Sequence, residues 1–518
     1  MLENLGQVLP DGARRYGEKP ALISGGREFS FDELNELSGR LANGLRDLGV
    51  APGDRVSLYS QNSWEWIVSY YAIARLGAVI NPIIPALTPE EALFIINDCG
   101  AKAVLASEVK GGGLLETKDD PLAEEVILFG DSVPADARSF EELLERSDPE
   151  FEGVGAAADD TSTIGYTSGT TGHPKGAMVT HRAVLLNSAM TANMHVRTAA
   201  DTIVTGLPCA HVYGNVIMNG AFLYGYTLVL LEHFDPTEAL EEIQRHRATM
   251  FEGVPTMYQV LLDHPELEDY DLSSLTRCTV GGQSMPVSRS QEVEERFGCP
   301  LIELWGMTEI AGLGTTHPLY GPNKHGSIGR SLPFVECRIA GLEDPNETLG
   351  PDEPGELMLR GPIVMQGYYG NEEETRETIE PDGWLHSGDI ARMDEEGYIH
   401  IVDRAKDMII RGGENVYPRE IEEFLYTHPE ISGVQVFGVP DEKYGEEVAA
   451  AAILKEDASI TEEDVKEYCR EHIARFKAPE YVDFVEEFPM TGSGKIQKFK
   501  LREAAVERHD LVETADTA

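Results

Sequence analysis

Short β-rich runs alternate with longer segments of helical periodicity, and this alternation constrains the fold more than any other feature of the chain. Phe31–Leu48 carries apolar residues at helical spacing and follows Ser30, a residue type that favours helix N-caps. Arg55–Tyr59 then has the composition of a short strand, and Trp64–Leu76 is helical again. The pattern predicts an α/β fold whose layers are built on largely parallel sheets.

The alternation extends to the neighbourhood of Asp403, where the pattern changes. Before that point, Pro236–His246 predicts a helix and the glycine run Gly111–Gly113 predicts a flexible loop. Further strands are predicted at Ala103–Leu105, Thr202–Leu207, Thr227–Leu231, Thr249–Val254 and Cys278–Val280.

The C-terminal part of the chain has the mixed pattern of a small α+β domain. The joining segment, D-R-A-K-D, contains neither Pro nor Gly, so we expect a hinge between two bodies rather than a flexible tether. We therefore predict domains at 1–403 and 404–518, with the hinge near 404–406. The predicted C-terminal elements are helices at Arg419–Tyr426 and Thr461–Arg475 and strands at Val434–Val439, Ala449–Leu454 and Tyr481–Val485.

The charge of the chain is strongly negative. Its 518 residues include 90 acidic and 42 basic side chains, a net charge of -48. This balance argues against non-specific nucleic-acid binding, which needs positive charge to displace counterions. Self-repulsion at this charge destabilises a compact fold in dilute buffer, whereas concentrated salt screens it. We expect a protein adapted to high intracellular salt; the alternative is an acidic protein from a low-salt cell.

Cysteine spacing and apolar stretches indicate a cytoplasmic protein. The six Cys residues include no C-x-x-C pair, which offers neither a zinc site nor a disulfide framework. The N-terminus lacks the basic start and apolar core of a signal peptide. The apolar stretches Tyr70–Ile84 and Ala221–Leu231 are too short to span a bilayer or are interrupted by Arg75, so no transmembrane segment is expected.

Residues 165–176 read G-Y-T-S-G-T-T-G-H-P-K-G, a dense run of Gly, Ser and Thr with one Lys. Glycines let backbone N–H groups approach a phosphate closely, and hydroxyl and ammonium groups add donors. The run is not a Walker A loop, because Lys175 follows Pro174 rather than Gly. We predict a phosphate-binding loop of another kind; the alternative is a polar surface turn.

Five further segments follow this loop in a definite order. They are G-G-Q-S-M-P at 281–286, W-G-M-T-E at 305–309, G-W-L-H-S-G-D at 383–389, D-R-A-K-D-M-I-I-R-G-G-E-N-V-Y-P at 403–418 and P-M-T-G-S-G-K at 489–495. Together with the loop they resemble the adenylate-forming superfamily of acyl-CoA synthetases, peptide-synthetase adenylation domains and firefly luciferase. The resemblance covers essentially the whole chain. It implies a large N-terminal α/β domain with several sheets and a small, mobile C-terminal α+β domain.

The resemblance also implies two half-reactions on a small carboxylic acid, with ATP, Mg²⁺ and coenzyme A. The carboxylate attacks the α-phosphate of ATP to give acyl-AMP and pyrophosphate, and a thiol then displaces AMP. The implied nucleotide contacts fall into three groups. Those at the phosphates and magnesium are Thr167, Ser168, Gly169, Thr170, Thr171, Gly172, Lys175, Thr308 and Glu309, with Thr170 and Glu309 as the metal ligands. Those at adenine are Gly282, Gln283, Trp305 and Gly306, and those at ribose are Asp389 and Arg404.

Lys495 is the residue that the resemblance places between the attacking carboxylate and the α-phosphate, where an ammonium offsets their repulsion. Lys406 matches the hinge, and Gly412, Gly413 and Glu414 match the face that a rotation brings in for the thiol step. His211 matches a position at the acyl pocket near the arriving thiol. Tyr213 is expected to line that pocket, and Gly214, Gly312 and Gly314 to leave room for a chain.

Several alternatives remain at this point. Medium- or long-chain fatty acids are the expected substrates, but aryl-acid ligases of the 4-coumarate type share the same motifs. A peptide-synthetase adenylation domain is disfavoured because no carrier segment follows Lys495. A luciferase-type oxygenase shares the first step, and an NTPase is opposed by the Walker A mismatch. A non-catalytic nucleotide-binding regulator is opposed by the intact Lys495 and Glu309. A homodimer is compatible with the sequence without being indicated by it.

The charge balance makes a direct prediction about stability in salt. We expect the melting temperature to rise between dilute buffer and molar KCl, because the Debye length falls to about 3 Å at 1 M and screens the self-repulsion. Differential scanning fluorimetry across a KCl series measures this. A melting temperature that stays flat or falls over the series would identify an ordinary acidic protein.

Overall fold

The computed structural model describes residues 2–116, 123–130, 132–167, 174–283, 285–412, 414–441, 443–455, 458–490, 496–509 and 511. The described residues form two compact units. The first comprises Met1–Met285, Arg289–Glu336 and Leu359–Leu385. The second comprises Pro286–Ser288, Cys337–Met358 and His386–Ala518. The domain boundary that the sequence predicts, between residues 403 and 404, stays a prediction.

The strands, in chain order, are β1 (Pro20–Ser24), β2 (Arg27–Ser30), β3 (Arg55–Tyr59), β4 (Val79–Ile83), β5 (Ala103–Ser107), β6 (Glu125–Phe129), β7 (Arg138–Ser139), β8 (Thr161–Thr167), β9 (Lys175–Thr180), β10 (Thr202–Thr205), β11 (Thr227–Leu230), β12 (Met250–Gly253), β13 (Arg277–Val280), β14 (Leu301–Met307), β15 (Gly312–Thr316), β16 (Arg330–Ser331), β17 (Glu336–Ala340), β18 (Gly355–Arg360), β19 (Gly367–Tyr368), β20 (Leu385–Met393), β21 (Ile399–Arg404), β22 (Ile409–Arg411), β23 (Glu414–Val416), β24 (Ile431–Asp441), β25 (Gly445–Leu454) and β26 (Tyr481–Phe484).

The α-helices are α1 (Val8–Tyr16), α2 (Phe31–Asp47), α3 (Trp64–Arg75), α4 (Pro89–Asp98), α5 (Glu108–Glu116), α6 (Phe140–Arg146), α7 (His181–Met194), α8 (Val212–Tyr224), α9 (Pro236–Arg245), α10 (Pro255–Leu262), α11 (Val287–Phe297), α12 (Glu372–Thr378), α13 (Pro418–Leu425), α14 (Glu462–His472) and α15 (Lys498–Arg508). Among the described residues, none of these helices is long and apolar enough to cross a membrane.

Two mixed sheets build the first unit. One has the strand order β16-β15-β14-β13-β12-β10-β11-β1-β2, and the other has the order β19-β9-β8-β4-β3-β5-β6-β7. The inner strands of both sheets pair in parallel. Antiparallel strands lie at both ends of the first sheet and at the β19 end of the second, whose other end, β7, is parallel. The predicted α/β fold with largely parallel sheets is therefore confirmed.

Two further sheets include the strands of the second unit. One has the order β17-β18-β20-β21, and the other has the order β23-β22-β25-β24 with β26 beside β25. The long antiparallel pair β24 and β25 packs against α13, and α14 covers β26. Buried aliphatic side chains such as Val434, Ala450 and Val465 fill the core between sheet and helices. This is the small α+β pattern that the sequence predicted.

Two helices begin directly after residues whose type favours an N-cap, Ser30 and Thr461. The Ser30 hydroxyl accepts the N–H of Glu33, and the Glu33 carboxylate accepts the N–H of Ser30, which forms a capping box at the start of α2. Thr461 and Asp464 form the same arrangement at the start of α14. Each box satisfies two backbone donors that the helix itself leaves unpaired.

The glycine run at Gly111–Gly113 is a correction to the sequence analysis, since it lies inside helix α5 and not in a flexible loop. A β-carbon on Gly111 would lie 2.1 Å from the side chain of Leu128 on β6. The glycine therefore allows the helix to approach the sheet closely. Local propensity disfavours glycine in a helix, but tertiary packing outweighs that preference here.

A fully buried ion pair lies inside the first unit. Nη2 of Arg197 lies 2.9 Å from one oxygen of Glu252 on β12 and donates to the other at 3.0 Å. Nη1 donates to the Tyr226 hydroxyl, and Thr279 Oγ1 donates to Glu252 at 2.8 Å. Tyr213 in turn bonds Thr279 at 2.5 Å, so the network reaches helix α8. Because each charge is buried, each depends on the other for solvation.

Removing one partner of this pair is expected to destabilise the protein strongly. Arg197→Met leaves the Glu252 carboxylate buried without its cation, which costs about 3–5 kcal/mol of unfolding free energy. Urea unfolding in constant KCl measures the loss. The control is Arg182→Met, which removes an exposed pair with Asp159 and is expected to change stability little. Equal effects of the two substitutions would contradict the assignment.

Candidate active site

The predicted phosphate loop connects the antiparallel strands β8 and β9. Their register places Thr167 opposite Lys175, so these two residues stand at the base of the hairpin. The intervening predicted contacts lie outside the described residues: Ser168, Gly169, Thr170, Thr171 and Gly172. The strand pair therefore fixes both ends of the loop on the sheet, and the roles of the loop residues stay predictions.

Lys175 is largely sheltered from solvent and already has a partner. Its side chain is 10 % exposed, and its ammonium pairs with the carboxylate of Glu374 on α12. The same ammonium lies 5.8 Å from the centre of the Tyr368 ring. Strand β19, which carries Tyr368, pairs antiparallel with β9, and this pairing brings the α12 segment to the lysine.

Glu309 occupies a short turn of 3-10 helix, Thr308–Ile310, that follows β14. Its carboxylate is buried and accepts a hydrogen bond of 2.9 Å from the Tyr368 hydroxyl. Burial, and then the Glu309 charge, hold the pKa of Tyr368 well above its usual value, so the phenol stays a donor. Tyr368 therefore contacts both groups: its hydroxyl donates to Glu309, and its ring lies 5.8 Å from the Lys175 ammonium. A carboxylate oxygen is the type of ligand that a hard cation such as Mg²⁺ prefers.

Thr308 borders a cavity of about 40 Å³. A β-carbon on Gly165 would lie 2.8 Å from the Thr308 methyl group, so the glycine makes room for this side chain. The cavity walls are largely apolar, with His211, Asn215 and Thr163 as polar exceptions. The other lining residues are Pro82, Ile84, Tyr166, Val179, Val184, Ala210, Val212 and Ala311, together with Thr308 and Gly165.

His211 caps the N-terminus of α8. Its Nδ1 accepts the N–H of Tyr213 at 3.3 Å, and this bond orients the ring at the edge of the cavity. The structure thus brings His211 and Thr308 to one cavity. Whether His211 meets the thiol or the acid stays a prediction.

Two expectations about the acyl pocket find no support in the contacts of the described residues. Tyr213 points into the buried Glu252 network through Thr279 and does not line this cavity. Gly214, Gly312 and Gly314 provide close packing, not room for a chain. β-Carbons there would lie 2.3 Å from the Pro208 carbonyl, 2.5 Å from Val216 and 2.7 Å from Leu359 and Trp305, respectively. A glycine in the sequence does not show whether the space beside its backbone is open to a substrate or occupied by a neighbouring residue.

The predicted adenine residues lie on or shortly after two neighbouring strands of the first unit. Gly282 and Gln283 come directly after β13, and Trp305 and Gly306 lie on β14. Gly282 has φ +86°, and a β-carbon on Gly306 would lie 2.1 Å from the Gly312 carbonyl oxygen. Both positions therefore require glycine for local backbone reasons, and Trp305 is half-buried. Their contact with adenine stays a prediction.

Asp389 and Arg404 lie opposite each other on β20 and β21 in the second unit. Arg404 Nε lies 3.1 Å from Asp389 Oδ1. The Asp389 side chain is 5 % exposed and that of Arg404 is 51 % exposed. The strand register thus holds an exposed guanidinium next to a sheltered carboxylate, which is the pair that the sequence analysis assigned to ribose.

The remaining predicted residues belong to the loop and hairpin that follow β21. Lys406 is exposed in a turn, which suits a hinge. Gly412 has φ +60° and donates its N–H to the Tyr444 carbonyl at 2.8 Å, and Glu414 is exposed at the start of β23. Gly413 and Lys495 lie outside the described residues.

Family comparison agrees with this arrangement. The model of the AMP-binding enzyme family matches residues 9–369, and the model of the AMP-binding enzyme C-terminal domain matches residues 420–495. The chain belongs to the AMP-binding enzyme family. The resemblance found in the sequence motifs is therefore confirmed.

Individual relatives of this AMP-binding enzyme align over nearly its full length. A long-chain-fatty-acid–CoA ligase of Bacillus subtilis is 33 % identical, covering 98 % of this chain and 96 % of that protein. The human mitochondrial medium-chain acyl-CoA ligase ACSF2 is 34 % identical, covering 98 % and 88 %. The crystal structure of the anthranilate CoA ligase AuaEII in complex with anthranoyl-AMP has a TM-score of 0.92 at 28 % identity, covering 98 % of both chains.

Sequence reasoning missed three charged or phenolic groups of this AMP-binding enzyme. Glu374 and Tyr368 lie in G-Y-Y-G-N-E-E-E-T, where the acidic run is typical of a solvated helix end. Lys498 is sheltered at the start of α15 and donates to Glu422 at 2.8 Å. Burial lowers the pKa of Lys498, but Glu422 and Asp403 outweigh it and raise the pKa. Position in three dimensions, rather than local composition, reveals these partners.

Asp403 is a second buried group next to the predicted hinge. Its two carboxylate oxygens accept the backbone N–H groups of Arg404 at 2.7 Å and Arg419 at 3.0 Å. Burial raises the pKa of Asp403 to about 6, although Lys498 and both N–H donors oppose the shift. The residue before the hinge is therefore tied to the start of α13.

Proposed function

We propose that the protein is an ATP-dependent acid–CoA ligase that forms acyl-AMP and pyrophosphate, and then acyl-CoA and AMP. The observation that carries the proposal is the placement of Thr308. It lies between an apolar cavity and the buried Glu309 carboxylate, on the unit that also holds Lys175. An acid in the cavity would present its carboxylate where nucleotide phosphates meet these side chains. Family membership supports the same chemistry.

The first half-reaction joins two anions, so its residues must supply positive charge and alignment. Lys175 and the loop 168–172 would hold the β- and γ-phosphates, and Thr308 would donate to the α-phosphate. Glu309 fits Mg²⁺ because it offers a buried carboxylate oxygen to a hard cation that shares phosphate ligands. Thr170 would be the second protein ligand. Lys495 would offset the repulsion between the attacking carboxylate and the phosphate.

The second half-reaction needs a path for the thiol of coenzyme A. Rotation about Lys406 would withdraw Lys495 and bring in Gly412, Gly413 and Glu414. Asp389 and Arg404 would hold the ribose through their carboxylate and guanidinium. His211 would stand at the edge of the cavity where the thiol meets the acyl group. We place this activity in the cytoplasm, with small-molecule partners, and leave a homodimer as an untested alternative.

Medium- or long-chain fatty acids are the substrates that we propose first. The similarity to a long-chain-fatty-acid–CoA ligase and to a medium-chain acyl-CoA ligase supports this choice. An aryl acid is the second candidate, favoured by the similarity to the anthranilate CoA ligase. The glycines that pack against Pro208, Val216 and Leu359 lend no support to a long chain.

Substrate identity can be tested by pyrophosphate release in molar KCl with Mg-ATP. The panel runs from acetate to palmitate and includes benzoate, anthranilate and coumarate, each with and without coenzyme A. We expect release that peaks with one chain-length class, and acyl-CoA and AMP only when coenzyme A is present. A peak on the aryl acids would select the second candidate. A folded protein that releases no pyrophosphate with any acid would contradict the ligase proposal.

Lys495→Ala is expected to separate the two half-reactions. Loss of its ammonium removes charge stabilisation from the first transition state, so acyl-AMP formation should fall by about 10²-fold or more. Thioester formation from supplied acyl-AMP should largely persist. Lys455→Ala, at an exposed position of the second unit, is the control and should keep both rates. Equal loss of both half-reactions in Lys495→Ala would contradict the proposed role.

A further inference from the structure

The carboxylate of Glu374 is held at Lys175 by backbone structure on both sides. Strand β19 pairs with β9, and the N–H of Tyr369 donates to the Gly176 carbonyl at 2.7 Å. The chain then turns into α12, whose N-cap Asn371 accepts the N–H of Glu374 at 3.1 Å. The position of Glu374 beside the lysine is therefore set by the sheet and by the helix cap.

Lys175 thus has a counter-ion before any nucleotide arrives. Both side chains are partly withdrawn from water, with 10 % of Lys175 and 25 % of Glu374 exposed, so their interaction is screened less than that of a surface pair. Tyr368 lies between this pair and the Glu309 carboxylate. A phosphate that approaches Lys175 therefore meets the Glu374 carboxylate at the ammonium, and Tyr368 connects this pair to the Glu309 carboxylate.

The other acids of α12 do not share this arrangement. Glu372 and Glu373 lie in the same helical turn but are exposed, and both extend the acidic surface of the chain. Glu374 is distinguished by its direct contact with the ammonium of Lys175. This contrast provides a matched control of the same residue type on the same element.

We propose that Glu374 is a specificity-determining residue that favours metal-complexed ATP over metal-free ATP at Lys175. The inference rests on the proposed function, in which Lys175 binds the β- and γ-phosphates. Metal-free ATP carries its full negative charge and is repelled by Glu374 and Glu309 as it displaces the ion pair. A divalent cation cancels part of that charge and attracts both carboxylates. Displacing the ion pair therefore costs less free energy for the complexed nucleotide than for metal-free ATP.

Removing the charge of Glu374 should therefore help metal-free ATP most. We expect Glu374→Gln to lower the dissociation constant for ATP in EDTA by about tenfold, as a charge interaction of this kind implies. The dissociation constant for Mg-ATP should change by about threefold or less. Isothermal titration calorimetry of the full chain at one fixed KCl concentration measures both values. Glu373→Gln should match the wild type in both.

Three binding results would each overturn the proposal. Equal tightening of ATP with and without Mg²⁺ would show that Glu374 does not discriminate between the two forms. Weaker binding of both forms would show instead that Glu374 positions Lys175 for the phosphates. Circular dichroism verifies that the variants fold, and Glu374→Asp, which keeps the charge, should retain the preference of the wild type; if it loses that preference, the proposal fails.

The outcome is separable from that of the ligase proposal, because calorimetry needs no turnover. The expected binding pattern without pyrophosphate release from any acid would support this inference and overturn the proposed reaction. Pyrophosphate release by the wild type, with no change of ATP preference in Glu374→Gln, would support the proposed reaction and overturn this inference.

Discussion

The need to bind a polyanion with a chain of net charge -48 is the physical constraint on which the site depends. Within each unit the protein holds several of its scarce cations next to single carboxylates. Three such pairs are Lys175 with Glu374, Arg404 with Asp389, and Lys498 with Glu422. Each pair gives a partly sheltered charge a partner, and in the proposed function a nucleotide phosphate competes with Glu374 for Lys175.

The sheets of the first unit bring Lys175, Tyr368, Thr308 and Glu309 together. Antiparallel strands β8, β9 and β19 hold Lys175 beside Tyr368, and the end of β14 delivers Thr308 and Glu309 to the same place. Behind α8, the buried network from Arg197 through Glu252 and Thr279 to Tyr213 anchors the helix that His211 caps. The rigidity of the core thus extends to a residue at the edge of the cavity.

The local signals in the sequence located most elements to within a few residues. Ser30 and Thr461 start helices as their capping patterns predict, and Arg55–Tyr59 is a strand with the predicted bounds. The expectations that the structure does not support share one cause. The sequence suggested a loop at Gly111–Gly113 and room for a substrate at Gly214. Glycine is compatible both with a flexible backbone and with close packing against a neighbour, so its presence alone does not separate the two. Only the neighbouring atoms, which the tertiary structure places, show whether the space beside a glycine is empty or already filled.

The sequence by itself determined the family and the α/β architecture, because these are encoded in ordered motifs and local periodicity. Only the tertiary structure decided that Tyr213 belongs to a buried network and that Glu374, one acid among 90, is the partner of Lys175. The physical reason is that the two residues of this pair are 199 positions apart in the chain. Their contact depends on strand pairing between β9 and β19, which no local pattern records.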